Sequence, residues 1–156
     1  MTETTCNLLS RSYKDTYELG KKIGTFLSYG AIITLTGEVG TGKTSFVKGL
    51  ASGLEVPNNY YITSPTFTII NEYPGRLLLC HADFYRISSI DEFEEIGLDE
   101  IFSRDSVVAI EWADRLNQKY LIKDFSIHFE FIDDKSRRIQ IIPYGHKAVN
   151  LLSRII

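Results

Sequence analysis

The chain has little cysteine, proline or methionine (two, four and one among 156 residues) and no excess of positive charge. Each shortage excludes something. Cys6 and Cys80 form no C-x-x-C pair and no cluster with histidine, which argues against a disulfide scaffold or a cysteine metal site and leaves two reduced structural thiols. A net charge of −3 argues against a broad basic face for nucleic acid, because neutralising phosphates needs clustered Lys and Arg. No run approaches the ~20 apolar residues that cross a bilayer, so no membrane role is expected. Met1-Thr2-Glu3-Thr4 does not lead from basic residues into an apolar stretch, so no secretory signal is read and a cytoplasmic location is expected. No internal repeat, low-complexity tract or linker stands out.

The balance of what is present, 44% hydrophobic and 24% charged residues, suffices for a compact core, and the length suits a single domain over residues 1–156. Thr5 to Leu9 reads as a short strand. Ser12 with Asp15 three residues later resembles a capping box, and Leu19, Ile23, Phe26 and Leu27 follow at helical spacing, a face expected to pack on a sheet. Ala31 to Thr36 is short, apolar and β-rich, as a buried strand should be. Lys43 to Leu54 contains no proline and carries Phe46, Val47, Leu50 and Leu54 at helical spacing. Thr66 to Tyr73 and Arg76 to Ala82 flank Pro74-Gly75 and predict an antiparallel hairpin. Ser89-Ile90-Asp91-Glu92 opens a short helix that Gly97 stops. Ser106 to Ile110 is a compact apolar strand, Phe125 to Ile132 and Arg137 to Pro143 form a second pair, and the tail after Gly145 is a short helix. The expected class is α/β: a P-loop NTPase-like three-layer fold with a mixed central sheet and flanking helices.

The chemistry is carried by Gly37-Glu38-Val39-Gly40-Thr41-Gly42-Lys43-Thr44, which matches G-x-x-x-x-G-K-[ST] throughout and lies between the predicted strand and helix. Such a loop turns backbone N–H groups toward phosphate oxygens, and side chains would obstruct several of its turns. The helix N-terminus adds partial positive charge, Lys43 would meet the β and γ phosphates, and the Thr44 hydroxyl would ligate magnesium. Gly37 through Ser45 are therefore candidate ATP-binding residues, and ATP and Mg2+ the implied cofactors. Lys43 is expected as an exposed loop residue whose replacement by alanine spares the fold.

Acidic partners belong at the carboxyl ends of neighbouring strands, where ligands sit in open α/β sheets. Glu111 follows Val107-Val108-Ala109-Ile110, and Asp83 closes the strand through Leu77 to Cys80. Either could ligate magnesium while the other positions the attacking water, and the residues themselves leave that division open. Ser64-Pro65-Thr66 reads as a switch loop that could carry hydroxyls to the γ-phosphate, or as a simple turn. His81 is either a proton acceptor or a hydrogen-bonded structural residue. Arg86 could steady Asp83 or meet phosphate, or pair on the surface. Trp112 suits a nucleotide-sensitive position if partly exposed and the core otherwise.

Together, Gly37 to Thr44, Ser64-Pro65-Thr66-Phe67-Thr68, Asn71-Glu72-Tyr73, His81-Ala82-Asp83-Phe84-Tyr85-Arg86 and Glu111-Trp112 resemble, in order and spacing, the bacterial TsaE family, also called YjeE. The resemblance covers nearly the whole chain, and the combined elements are far more specific than a P-loop alone. It implies an ATPase of tRNA threonylcarbamoyladenosine biosynthesis that drives or resets a complex of TsaB-like and TsaD-like partners, with tRNA engaged indirectly. It also implies that Lys43 and Thr44 bind phosphate and magnesium, that Glu111 ligates magnesium and that Asp83 assists hydrolysis or a nucleotide-dependent switch. By the same resemblance, residues near Leu9 to Ser12 and near Arg137 wall the adenine pocket. Two departures stand in this chain: Glu38-Val39 where Asp-Leu is common, and Ala113 where proline is frequent.

A small-molecule kinase is one rival, but the stretch Ala113 to Asp124 supplies only Arg115, Lys119 and Lys123 for a lid. A GTP-dependent switch is another, for which Lys123-Asp124 is only a superficial guanine-reading element.

Overall fold

The architecture rests on one seven-stranded sheet, seen in a computed structural model that describes residues 4–65, 69–87, 89, 91, 92, 95, 97–113 and 122–156. The strands are β1 (Cys6–Ser10), β2 (Ala31–Thr36), β3 (Ile70–Tyr73), β4 (Leu78–Asp83), β5 (Ser106–Glu111), β6 (Phe125–Phe131) and β7 (Arg137–Pro143). Their spatial order is β1-β7-β6-β2-β5-β4-β3. β2 pairs in parallel with both β5 and β6, and β4 in parallel with β5, whereas β1–β7, β6–β7 and β3–β4 are antiparallel. The continuous apolar run of β2 is what a strand covered on both faces requires.

The helices are α1 (Tyr13–Phe26), α2 (Lys43–Gly53), α3 (Leu98–Ser103) and α4 (Gly145–Ile155). Alternation along the strands sorts side chains between two layers. Ile33, Leu35, Leu79, Val107 and Ala109 join residues of α1, α2 and α4 in the larger cluster. Cys80, Ala82, Val108 and Ile110 join Phe84, Ile87 and Ile101 on the opposite face, over which α3 lies. The mixed sheet with helices flanking it agrees with the expected class.

Several local expectations are corrected. Ser12 does cap α1, its hydroxyl accepting from the Asp15 N–H at 3.1 Å, but the Asp15 carboxylate reaches back to the Arg11 N–H rather than to that of Ser12. Of the expected α1 face, Ile23 and Leu27 are fully buried in the cluster that includes the strands, but Phe26 remains 37% exposed, and Gly20 and Gly24, outside that face, are buried against α2. The two helices meet backbone to backbone, since a Cβ at Gly49 would stand 1.9 Å from the Tyr17 carbonyl oxygen and one at Gly20 2.1 Å from that of Phe46. Hydrophobic periodicity does not register such a seam, because glycine contributes nothing to it.

The strand expected from Thr66 begins at Ile70 among the described residues, and Thr66, Phe67 and Thr68 lie outside them. Ser89 accepts from the Glu92 N–H at 3.3 Å as its capping signal predicts, and Gly97, at φ 76°, leads into α3, which the sequence reading omitted. No helix among the described residues is long and apolar enough to cross a membrane.

Candidate nucleotide-binding site

Strand alternation decides where the acids point. In β4, His81 and Asp83 share the face of Leu79, and in β5 Glu111 shares the face of Val107 and Ala109, so all three project toward the α2 layer. Asp83 and Glu111 are also register partners across the parallel β4–β5 pair, and Leu35, near the end of β2, pairs with Glu111 on its other side. The loop after β2 therefore starts beside both carboxylates, at the carboxyl edge of the sheet.

The loop is built for close backbone approach. Gly42, the N-cap of α2, has φ 109°, a left-handed conformation that side chains rarely adopt, and a Cβ there would also lie 3.1 Å from Arg137 Nη1. Gly42 supplies no side-chain cap to α2, so the positive end of the helix is open to an anion at that position. Thr41 is buried and ties the loop to itself, its hydroxyl donating to the Glu38 carbonyl at 2.7 Å. Lys43 is not the exposed residue expected from its place in the motif. It begins α2, is 5% exposed, donates from Nζ to the carbonyls of Gly37 and Glu38, and lies 4.5 Å from the centre of the Trp112 ring.

A cavity of about 660 Å³ opens at this edge. Val39, Gly40, Gly42, Lys43, Thr44, Ser45 and Arg137 line it, together with Ser64, Asp83 and Glu111, whereas Gly37, Glu38, Thr41 and Pro65 are not among its lining residues. Thr44 Oγ1 donates to Glu111 Oε1 at a long 3.4 Å. Ser64 Oγ donates to Asp83 Oδ2 at 2.8 Å and more weakly to Glu111 Oε2 at 3.4 Å. Asp83 also accepts from the Tyr85 N–H at 2.9 Å, and His81 Nε2 meets Glu111 Oε2 at 2.6 Å. Asp83, Glu111 and His81 are all buried, while Arg86 is exposed.

Three further residues line the cavity: Trp112, expected at a nucleotide-sensitive position if partly exposed, and Tyr85 and Tyr13, which were absent from the predicted site. Trp112, half-buried at φ 60°, has its N–H bonded to the Leu35 carbonyl at 3.2 Å, which helps maintain a backbone conformation costly for a large side chain. Tyr85, 47% exposed, lies beside it with ring centres 5.0 Å apart. Tyr13, 54% exposed, sits one residue beyond the wall placed at Leu9 to Ser12. An aromatic at the first helical position, too early in the helix for its inward face, was the available signal. Asp124 lies elsewhere: its carboxylate accepts from the Ile32 N–H at 2.8 Å, at the end of β2 away from the loop, so it does not serve as a guanine reader. The lid stretch considered for a kinase falls largely on residues 114–121, outside the described residues.

The donor set fits magnesium with a phosphate chain. Among the described residues no three His, Cys, Asp or Glu side chains gather as a self-sufficient metal cage. Magnesium needs none, since it commonly takes one or two protein oxygens and completes its shell with phosphate and water. Thr44 and Glu111 offer such a pair. Arg137 Nε is buried with no hydrogen-bond partner among the described residues, an unmet donor at the wall that an anionic ligand would satisfy.

This sheet order, with a glycine loop after its central strand and two acids at the adjoining strand ends, defines an α/β protein of P-loop-like fold. More specifically, the chain belongs to the TsaE family: the profile described as "Threonylcarbamoyl adenosine biosynthesis protein TsaE" matches residues 10–139. The chain is 39% identical to the tRNA threonylcarbamoyladenosine biosynthesis protein TsaE of Treponema pallidum over 85% of its own length and 97% of that protein. It is 37% identical to the protein of the same name from Bacillus subtilis over 86% of its length and 83% of the relative. The crystal structure of Bacillus subtilis YdiB superposes with a TM-score of 0.84 at 29% identity, covering 99% of this chain and 96% of that one. The protein is thus involved in tRNA threonylcarbamoyladenosine biosynthesis.

Proposed function

We propose that the chain binds ATP with magnesium on the Gly37–Thr44 loop and hydrolyses it, and that hydrolysis drives or resets a tRNA-modifying complex of TsaB-like and TsaD-like partners. The observation that carries this is the meeting of Thr44, Ser64, Asp83 and Glu111 from four separate segments beside the N-terminus of α2, to which Gly42 supplies no side-chain cap. Lys43 exchanges its bonds to neutral loop carbonyls for charged phosphate oxygens, which are stronger acceptors. Thr44 and Glu111 would hold the magnesium, which when bound neutralises charge growing on the β and γ oxygens. Asp83, fixed by the Tyr85 N–H and the Ser64 hydroxyl, is the group left to orient the attacking water. Arg137 and Tyr13 border the remainder of the nucleotide.

Ser64 and Pro65 belong to the proposed switch loop, and Ser64 already touches both acids. A partner that moves this loop would alter Asp83 and Glu111 together, so hydrolysis by the isolated chain should be slow and the complex faster. In this reading the partners, and not this chain, meet the tRNA.

The experiment mixes the chain with TsaB-like and TsaD-like proteins, tRNA and the threonylcarbamoyl donor, and follows modification over many turnovers. Multiple turnover should require ATP, and it should stop with a non-hydrolysable analogue or with Glu111→Ala. Equal turnover with the analogue, or equal hydrolysis by the isolated chain and the complex, contradicts the reading. A phosphorylated small metabolite would favour a kinase, and equal binding of GTP would revive the switch.

A further inference from the structure

We propose that His81 is a positioning residue for the metal: its ring holds one oxygen of Glu111 so that the other, Oε1, faces the Thr44 hydroxyl and the magnesium they would share. The inference rests on the magnesium–ATP reading above and gives His81, which the sequence leaves between proton acceptor and structural residue, a role at that site.

His81 is completely buried. Its Nε2 lies 2.6 Å from Glu111 Oε2, close enough for a strong hydrogen bond. A carboxylate oxygen accepts, so Nε2 carries the hydrogen. Oε2 takes a second, weaker bond from Ser64 at 3.4 Å, while Thr44 approaches Oε1, also at 3.4 Å. The two oxygens thus differ in function: one is engaged from inside the sheet, and the other is turned toward the P-loop.

The second ring nitrogen strengthens the case. Nδ1 is buried with no hydrogen-bond partner among the described residues. A histidine kept only to fill the core would be expected to satisfy both nitrogens, because an unmet buried polar atom is costly. Here the ring's polar bond goes to Glu111 alone among those residues. Glutamate has three side-chain torsions, and a single bond to a rigid ring on the neighbouring strand restricts all of them before any ion arrives. Partners of this kind, acting through a ligating carboxylate, typically change metal affinity by about 10- to 100-fold when replaced.

The test separates the two nitrogens by reach. In His81→Gln the amide nitrogen can occupy roughly the place of Nε2, whereas in His81→Asn it falls near Nδ1 and cannot reach Oε2. Nucleotide binding is measured by calorimetry in excess EDTA and then as magnesium is titrated, with thermal unfolding in parallel. His81→Asn should weaken the magnesium midpoint by about tenfold or more, His81→Gln should stay within about threefold of wild type, and affinity in EDTA should be common to all three. A role confined to packing would lower the unfolding temperature of both variants and leave the magnesium midpoint in place.

If either variant does not fold, the wild-type chain decides, through the imidazole nitrogen resonances of His81. They should show a hydrogen on Nε2 and shift with ATP plus magnesium more than with ATP alone. A His81→Asn midpoint equal to wild type, equal losses in the two variants, or unmoved resonances overturns the inference while leaving the nucleotide site intact. Wild-type protein without magnesium-dependent nucleotide binding overturns the reading and the inference together.

Discussion

The two faces of the sheet differ more than the apolar sequence of β4 and β5 suggests. On the α2 side, successive inward residues run from Leu79 through His81 to Asp83 and from Val107 through Ala109 to Glu111, turning from core to acid at the carboxyl edge. On the α3 side, Cys80, Ala82, Val108 and Ile110 are buried among Phe84, Ile87 and Ile101. The first face buries charge and is clamped by a glycine seam and an arginine. The second is sealed mainly by apolar contact. Polar chemistry therefore sits where the backbone is most constrained, and substitutions on the two faces should differ in size and kind.

The largest effect should come from the seam. In Gly49→Ala the new methyl has nowhere to go, because backbone rather than a flexible side chain stands 1.9 Å away. α1 and α2 must separate, and stability should fall by about 3 kcal/mol or more in urea unfolding, the upper end of overpacking costs. A loss below about 1 kcal/mol would mean that the seam is soft and the faces alike. Next comes Arg76, whose guanidinium donates to the carbonyls of Leu27 at 2.6 Å and Gly24 at 2.8 Å, with a longer contact of 3.4 Å to that of Gly53. It joins the carboxyl ends of α1 and α2 from the β3–β4 turn, satisfying carbonyls that helices leave open. Arg76→Ala should lose about 2 kcal/mol, with nucleotide affinity little changed because the site lies at the other end of α2.

These two devices mark the limit of what was legible. The P-loop, both acids and the central strands were readable because each advertises itself locally, through a fixed glycine spacing or an apolar run ending in a carboxylate. The seam was not, since Gly20, Gly24, Gly49 and Gly53 look in sequence like weak points in helices. The burial of Lys43 was equally hidden: the motif states its charge and says nothing of the Trp112 ring that covers it. Arg76 and His81 act across strands or between helices, contacts that exist only once the sheet order is set. That Oε1 and Oε2 of Glu111 are held differently lies beyond any reading of residue types.

Lys43→Ala tests the boundary between chemistry and scaffold. Because Lys43 is buried and bonded to two loop carbonyls, the earlier expectation of unchanged unfolding gives way to a loss of about 1 to 2 kcal/mol. Nucleotide binding should fall below detection in the same calorimetric titration, since the charge meeting the phosphates is gone. Retained ATP turnover would remove Lys43 from the site, and a loss of stability as large as that of Gly49→Ala would make it principally a structural residue.

The smallest effect belongs to the α3 face and has a definite sign. Burial pushes the Cys80 thiol up, offset in part by its bond to the Ser106 hydroxyl at 3.9 Å. The unfolded chain therefore forms thiolate at lower pH than the folded one. Below the ordinary thiol range both states hold the proton and the full stability is present; as pH rises through that range the unfolded state is favoured and stability declines. Unfolding midpoints measured from about pH 8 to about pH 10 should fall in wild type and fall less in Cys80→Ala, after correction for that variant's lower starting stability. The same thiol should resist alkylation in the native protein and react on unfolding, because the thiolate is the nucleophile. Rapid modification at neutral pH, with the protein still folded, would show that the α3 face opens, and the contrast between a clamped face and a sealed one would then be a contrast in dynamics.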